Sequence, residues 1–233
     1  MVGSTEARAT ASGTRRLASH LRLTLRRNET DRGLMIQRLF ASWVRRLIRT
    51  QSHLVFFAPI QNVVTQVDTE DLKWVTISSQ NMSEHRTLTD ALVALNPDNT
   101  HYIADIQKDI ITGLVILEGE QVVHYGFVFK SNKTADFLGL QPGTALIGNS
   151  FTMPRYRGQG LQAKSVSARA EIARRHGYAA IAAETSPENH ASQRGLIKSG
   201  LKLQGRLELL IVLSCLVIRW RRPAGVPLLG FSW

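Results

Sequence analysis

Between residues 155 and 161 the chain reads Arg-Tyr-Arg-Gly-Gln-Gly-Leu, a run suited to holding a phosphate. The residues before it, Ala145 to Met153, are β-rich, and those after it, from Leu161, have helical spacing. A glycine turn at such a junction leaves backbone N–H groups unpaired at a helix N-terminus, and the missing side chains let an anionic oxygen reach the main chain. The amides of Arg155, Tyr156, Arg157, Gly158, Gln159, Gly160 and Leu161 would form the cradle. Arg155 and Arg157 would add charge, or else lie in solvent. A Gly-x-Gly turn also serves as a plain tight connection, so the loop alone leaves both readings open. It lacks the Lys-Ser or Lys-Thr of a nucleoside-triphosphate loop and the third glycine of a dinucleotide fingerprint. His85, His101, His124, His176 and His190 are scattered without ligand spacing, so no metal is expected.

The residues after the loop narrow the chemistry. A helix is expected from Leu161 to His176, a stop at Gly177 and a strand from Tyr178 to Thr185. Next come Pro187-Glu188-Asn189-His190-Ala191-Ser192 and, further on, Lys198-Ser199-Gly200-Leu201. This arrangement resembles the GNAT N-acetyltransferase superfamily. Arg155, Gly158 and Gly160 fill the places of its pyrophosphate loop, and Asn189, Ala191, Ser192, Lys198 and Gly200 match its second signature. The resemblance is clear from Ile111 to Leu203, weaker back to Val55 and absent before it.

The resemblance implies a mixed, mostly antiparallel sheet with helices on both faces, splayed where the pantetheine arm of acetyl-CoA enters. It also implies that the backbones of Phe151 and Met153 bond that arm and polarise the acetyl carbonyl, and that Asn189 bonds the arm. Capping the next helix is the other role open to Asn189. Transfer to an amine needs a base, because alkyl amines are protonated near neutral pH. Glu184, at a strand end, is the first candidate and His124, on a hairpin strand, the second. Both positions are also ordinary structural ones. Leu196 stands where many members carry the tyrosine that protonates the leaving thiolate, so a tyrosine mechanism is not expected. Phe127, Phe129, His124 and the segment from Lys130 to Leu140 would line the acceptor side, suiting a small polar amine such as an amino sugar. Two alternatives stay open: a relative that binds acyl-CoA without catalysis, and a nucleic-acid-associated acetyltransferase or binding protein that uses the arginine-rich N-terminus.

These residues need elements to position them. His53 to Pro59 is a short apolar segment, Leu72 to Ser78 a strand, and Ser83 to Leu95 a helix stopped by Asn96-Pro97. Thr112 to Glu118 and Gln121 to Phe129 form a hairpin around Gly119. Leu209 to Ile218 is a single buried strand, too short to span a bilayer. The fold class is thus α/β (α+β), with the domain over 55–222 and a loose tail over 223–233.

The 233 residues, 43% of them hydrophobic, suffice for one well-buried domain with an extension. One cysteine, Cys215, excludes a disulfide framework and fits a reducing cytoplasm. No secretory signal is expected near Met1. Of the net charge of +11, residues 1 to 50 carry eleven arginines against three acidic residues. Residues 1–34 are expected to be a disordered basic extension, and 35–50 a basic amphipathic helix with Ile36, Leu39, Phe40, Trp43, Val44, Leu47 and Ile48 on its apolar side. Four readings of this region stay open: packing on the domain, peripheral contact with an anionic membrane at the inner face, nucleic-acid or protein binding, and a presequence. Met35 is a candidate second start.

Overall fold

Two-residue alternation between apolar side chains builds the centre of the molecule. β3 (Ile111–Glu118) and β4 (Gln121–Phe129) form the expected hairpin, turning at Gly119 with φ 58°. Both strands are buried almost throughout, so both faces of the sheet are covered. The computed structural model describes residues 47–64, 72–130, 133–213 and 215–231. Residues Thr50–Trp233 form one compact unit.

Among the described residues one sheet of nine strands has the order β2-β3-β4-β5-β6-β1-β7-β8-β9. Its strands are β1 (Ile48–Pro59), β2 (Lys73–Ile77), β5 (Thr144–Thr152), β6 (Ala180–Thr185), β7 (Lys202–Val212), β8 (Leu216–Arg221) and β9 (Leu229–Phe231), besides the hairpin. Every recorded pairing is antiparallel except β5 with β6, whose crossover is a helix.

One face carries α1 (Arg86–Leu95), α2 (Asn99–Gln107) and α3 (Lys133–Leu138). There Leu92, Ile106, Phe127, Phe129 and Leu138 share a core with Leu207 and Leu209. The other face carries α4 (Leu161–Arg175) and α5 (His190–Lys198), with Val166, Ala170 and Leu196 packed against Phe56, Val128 and Ile181. Each fully buried Leu, Ile or Phe contributes about 1.5–3 kcal/mol. On the solvent side of α4, Glu171 pairs with Arg174 at 2.7 Å and Arg175 at 2.9 Å, as helical spacing predicts.

Four expectations change. The apolar stretch around Leu209 to Ile218 is two strands, because the chain reverses between Val212 and Cys215 with Leu213 at φ 52°. No glycine, asparagine or aspartate marks that turn. A helix, α2, follows Asn96-Pro97 directly: buried Asn99 donates its Nδ2 to the Leu92 carbonyl at 2.8 Å and ties the two helices together. The tail read as loose returns as β9, paired with β8 from Leu216↔Phe231 to Ile218↔Leu229. Ile48 to Thr50, read as the end of the amphipathic helix, belong to β1. The rest of that helix, over 35–46, and the extension over 1–34 lie outside the described residues. Among the described residues no helix is long and apolar enough to cross a membrane.

Candidate functional site

β5 and β6 run together only from Thr144↔Ala180 to Ile147↔Ala183. Beyond that pair they separate, and three hollows lie in succession along the opening.

The first, of about 540 Å³, lies at the glycine loop. Gly158 at φ 82° and Gly160 at φ 80° take left-handed turns that lead into α4, as the loop reading requires. Arg157, Arg194 and Lys198 line this hollow, and Arg157 also donates to the Thr152 carbonyl at 3.2 Å. Arg194 was not legible as a site residue: only α5, packed against α4, brings it to the loop. Arg155 and Tyr156 do something else than expected. The Tyr156 ring is buried with Ile116, Val123 and Leu161, and its hydroxyl donates to Glu118. That hydrogen bond, followed by burial, raises the tyrosine's pKa. The Arg155 guanidinium lies over the ring at 4.7 Å, donates to the Tyr156 hydroxyl at 2.6 Å and to Gln121, and so braces the loop against the hairpin. The exposed Gln159 closes the loop on the Arg155 carbonyl at 3.4 Å.

The second hollow, of about 400 Å³, is the cleft itself, with Ser150, Arg169, Glu184, Asn189, Ser192 and Leu196 among its walls. The backbone frame is displaced by one residue from the expected one. Met153 donates to Val123 at 2.9 Å and accepts from Tyr156, while Phe151 pairs with Tyr125. Hydrogen-bonding direction alternates along an antiparallel strand, so Phe151 and Met153 face β4, and the Ser150 carbonyl and the Thr152 amide turn toward the cleft. A bulge between Tyr125 and Phe127, with Asn149 at φ 47°, puts the irregularity where the strands part. Asn189 caps α5, accepting from the Ser192 amide at 3.1 Å, and stands on the cleft wall. Ser192 lines both this cleft and the loop hollow.

The third hollow, of about 340 Å³, opens on the opposite face between Tyr102 and Asp105 of α2, Phe129, Thr134 of α3, Asn149 and Glu184. Tyr102 stacks on Phe127 at 5.0 Å, and its hydroxyl accepts from Asn149. Its pKa is raised, chiefly by burial and then by Asp98. Glu184 belongs to both cleft and hollow. His53 of β1 meets it, Nδ1 to Oε2, at 2.6 Å, and its Nε2 lies 3.2 Å from Gln51 Oε1. His53 and Glu184 are 131 residues apart in sequence. Nothing local signals their pairing.

His124 is elsewhere. Its side chain is fully buried toward α4, Nδ1 lies 2.7 Å from Thr152 Oγ1, and Nε2 has no partner. Burial first, and the charge of Arg169 second, lower its pKa to about 3. Side chains alternate across the sheet, which sends Phe129 to the third hollow and His124 away from it, so the second candidate base does not reach that hollow.

Residues 69–198 match the Acetyltransferase (GNAT) family, and the splayed parallel pair beside a glycine-loop helix is the geometry that resemblance implied. The chain belongs to the GNAT family. Among solved structures, a Drosophila protein matches with a TM-score of 0.51 at 11% identity, over 78% of this chain and 58% of its own. A functionally unknown conserved protein from Staphylococcus epidermidis gives 0.48 at 16%, over 71% and 63%. A GNAT-family acetyltransferase from Colwellia psychrerythraea gives 0.49 at 14%, over 69% and 56%. The chain thus spans 56–63% of the length of these structures, and at 11% identity the Drosophila protein speaks for the fold alone. No curated protein sequence matches it.

GNAT enzymes use acetyl-CoA as the acetyl donor, and the residues present fit that molecule. Two left-handed glycines at a helix N-terminus and three cations suit its phosphates. The strand edge of Ser150 and Thr152, beyond the last pair with β6, suits a peptide-like arm. Among the described residues no group of His, Cys, Asp and Glu is placed to hold a metal ion.

Proposed function

We propose that this GNAT protein is an N-acetyltransferase that passes the acetyl group of acetyl-CoA directly to the primary amine of a small polar molecule, such as an amino sugar. One observation carries the reading: Glu184 belongs to the walls of both the cofactor cleft and the hollow on the opposite face. A carboxylate at that junction can take the proton of an amine held against a thioester.

Arg157, Arg194 and Lys198, with the amides around Gly158 and Gly160, hold the phosphates. Ser150 and Thr152 offer backbone to the arm, and the donor supplies an activated carbonyl. Asp105 and Glu184 draw a cationic amine into the third hollow, where Tyr102, His101 and Thr134 provide a ring face and hydrogen bonds. Glu184 removes the proton, and His53, in contact with it at 2.6 Å, keeps the carboxylate oriented.

The test is transfer across a panel of amines, with Glu184→Gln as the variant. The rate constant should fall at least about 100-fold with coenzyme A affinity retained. Tight coenzyme A binding without turnover of any amine would instead establish a binding protein. The cleft residue favouring that rival is Leu196, which has no proton to give.

A further inference from the structure

Beneath the cleft lies a buried arginine to which, among the described residues, no acid answers. Arg169 of α4 is 1% exposed. Its Nε donates to the Ser165 carbonyl at 3.2 Å and its Nη1 to the Gly148 carbonyl at 3.3 Å, while Nη2 has neither a partner nor solvent. Among the described residues no carboxylate pairs with it, and burial lowers its pKa to about 9. The sheet makes room for this group. A Cβ on Gly126 of β4 would stand 2.8 Å from Arg169 Nη1 and 2.9 Å from Ser150 Oγ. A glycine inside a strand weakens the strand and marks a close approach.

Position tells what the charge is for. Gly148, whose carbonyl the guanidinium holds, is the first β5 residue past the last pair with β6, so the cation lies where the strands part and forms part of the cleft wall. Burying an unpaired cation is costly, and two carbonyl contacts could be made by a neutral donor. A site that keeps the charge is one where an anion arrives.

We propose that Arg169 is the cation that stabilises the thiolate released in the cleft when the acyl group leaves coenzyme A. The inference rests on the acyl-transfer reading. In that reaction the ammonium proton passes through Glu184 to solvent, the lone pair of the neutral amine forms the C–N bond, the C–S bond breaks with its electron pair left on sulfur, and the surplus proton on nitrogen goes to the regenerated Glu184 carboxylate. Leu196, on the same cleft wall, offers that sulfur neither proton nor charge. The other titratable groups around it are His53 of β1, Glu184 of β6 and His124 of β4. His53 Nδ1 lies 2.6 Å from Glu184 Oε2, and His124 is uncharged above a pKa of about 3. Arg169 is the uncompensated positive charge.

The test is the ionisation of coenzyme A bound to the full chain, followed by NMR of the methylene carbon attached to sulfur as pH is varied. A free thiol ionises at about pH 8.5. In the native complex the midpoint falls by about one unit or more, a tenfold gain in thiolate population. Arg169→Lys keeps a downward shift, and Arg169→Met loses it while still binding coenzyme A at the glycine loop. A native midpoint at or above that of free coenzyme A overturns the role without any variant, so a misfolded Arg169→Met cannot shelter it. A shift that survives in folded Arg169→Met overturns it too. If the native protein binds no coenzyme A, no bound signal forms, and the acyl-transfer reading falls together with this role.

Discussion

At the scale of single residues, the sheet separates chemistry from scaffolding by which face a side chain takes. Glu184 and His124 were both plausible proton acceptors in sequence, each a titratable group at a strand position. Strand parity removes His124: Tyr125, Phe127 and Phe129 share one face of β4 and His124 takes the other, while the extra residue of the bulge lies in β5. His124 is a stability residue with a definite pH signature. Its native pKa of about 3 lies below the ordinary 6.5. The folded protein therefore stays unprotonated there while the unfolded chain takes up a proton as pH drops through that value. Its contribution is complete above about pH 6.5 and is lost as pH falls toward 3. Denaturant unfolding of the native protein and of His124→Gln, from near-neutral to mildly acidic pH, should show this. The native slope should be steeper by up to about 1.4 kcal/mol per pH unit. Equal slopes would mean that His124 titrates normally.

At the scale of elements, the loop and α4 act as one anion site, and the loop's two left-handed glycines allow a controlled test. Gly160→Asp places a carboxylate at the helix start, where coenzyme A needs to put a phosphate. Gly119, in the β3–β4 turn, has φ 58° and open space around it. Gly119→Asp therefore carries a similar backbone strain, about 1–2 kcal/mol, far from the loop. Calorimetric titration with coenzyme A should show at least about a tenfold weaker Kd for Gly160→Asp, about 1.4 kcal/mol, and no change for Gly119→Asp. Equal losses would reduce the loop to a structural turn. Loop, hairpin, α4 and α5 were legible in sequence because their signals are local: alternation, helical spacing, a glycine stop, an asparagine cap. The hairpin of β7 and β8 was not, since Leu213 turns it without a turn residue. Nor was α2, whose start at Asn99 is fixed by a side-chain bond back to Leu92. The place of β1 beside β6, which delivers His53 to Glu184, is a pairing between distant segments that no local pattern encodes.

At the scale of the whole molecule, the last strands hold the third hollow in shape. Arg219 of β8 is 2% exposed and donates to the carbonyls of Phe137 at 2.7 Å and Pro227 at 3.1 Å, and also to that of Asp136. It joins α3, whose Leu138 is in the core and whose Thr134 lines the third hollow, to the C-terminal segment that runs into β9. A Cβ on Gly230 would stand 2.5 Å from its Nη2, so any larger residue there would push the guanidinium out of its place beside β9. Removing the guanidinium leaves buried carbonyls short of a donor, a loss of about 2–3 kcal/mol. For Arg219→Met this corresponds to a fall in Tm of roughly 5–10 °C. The cofactor loop lies on α4, on the other face of the sheet, and shares none of these contacts. The variant should therefore bind coenzyme A with native affinity below its Tm while its KM for the acceptor rises, as α3 loosens over the third hollow. Deleting residues 223–233 should do the same, since it removes both the Pro227 carbonyl and β9. Equal damage to coenzyme A binding and acceptor KM would mean that the two faces of the sheet are mechanically coupled, and that the C-terminal strands support the whole cleft instead of its acceptor side.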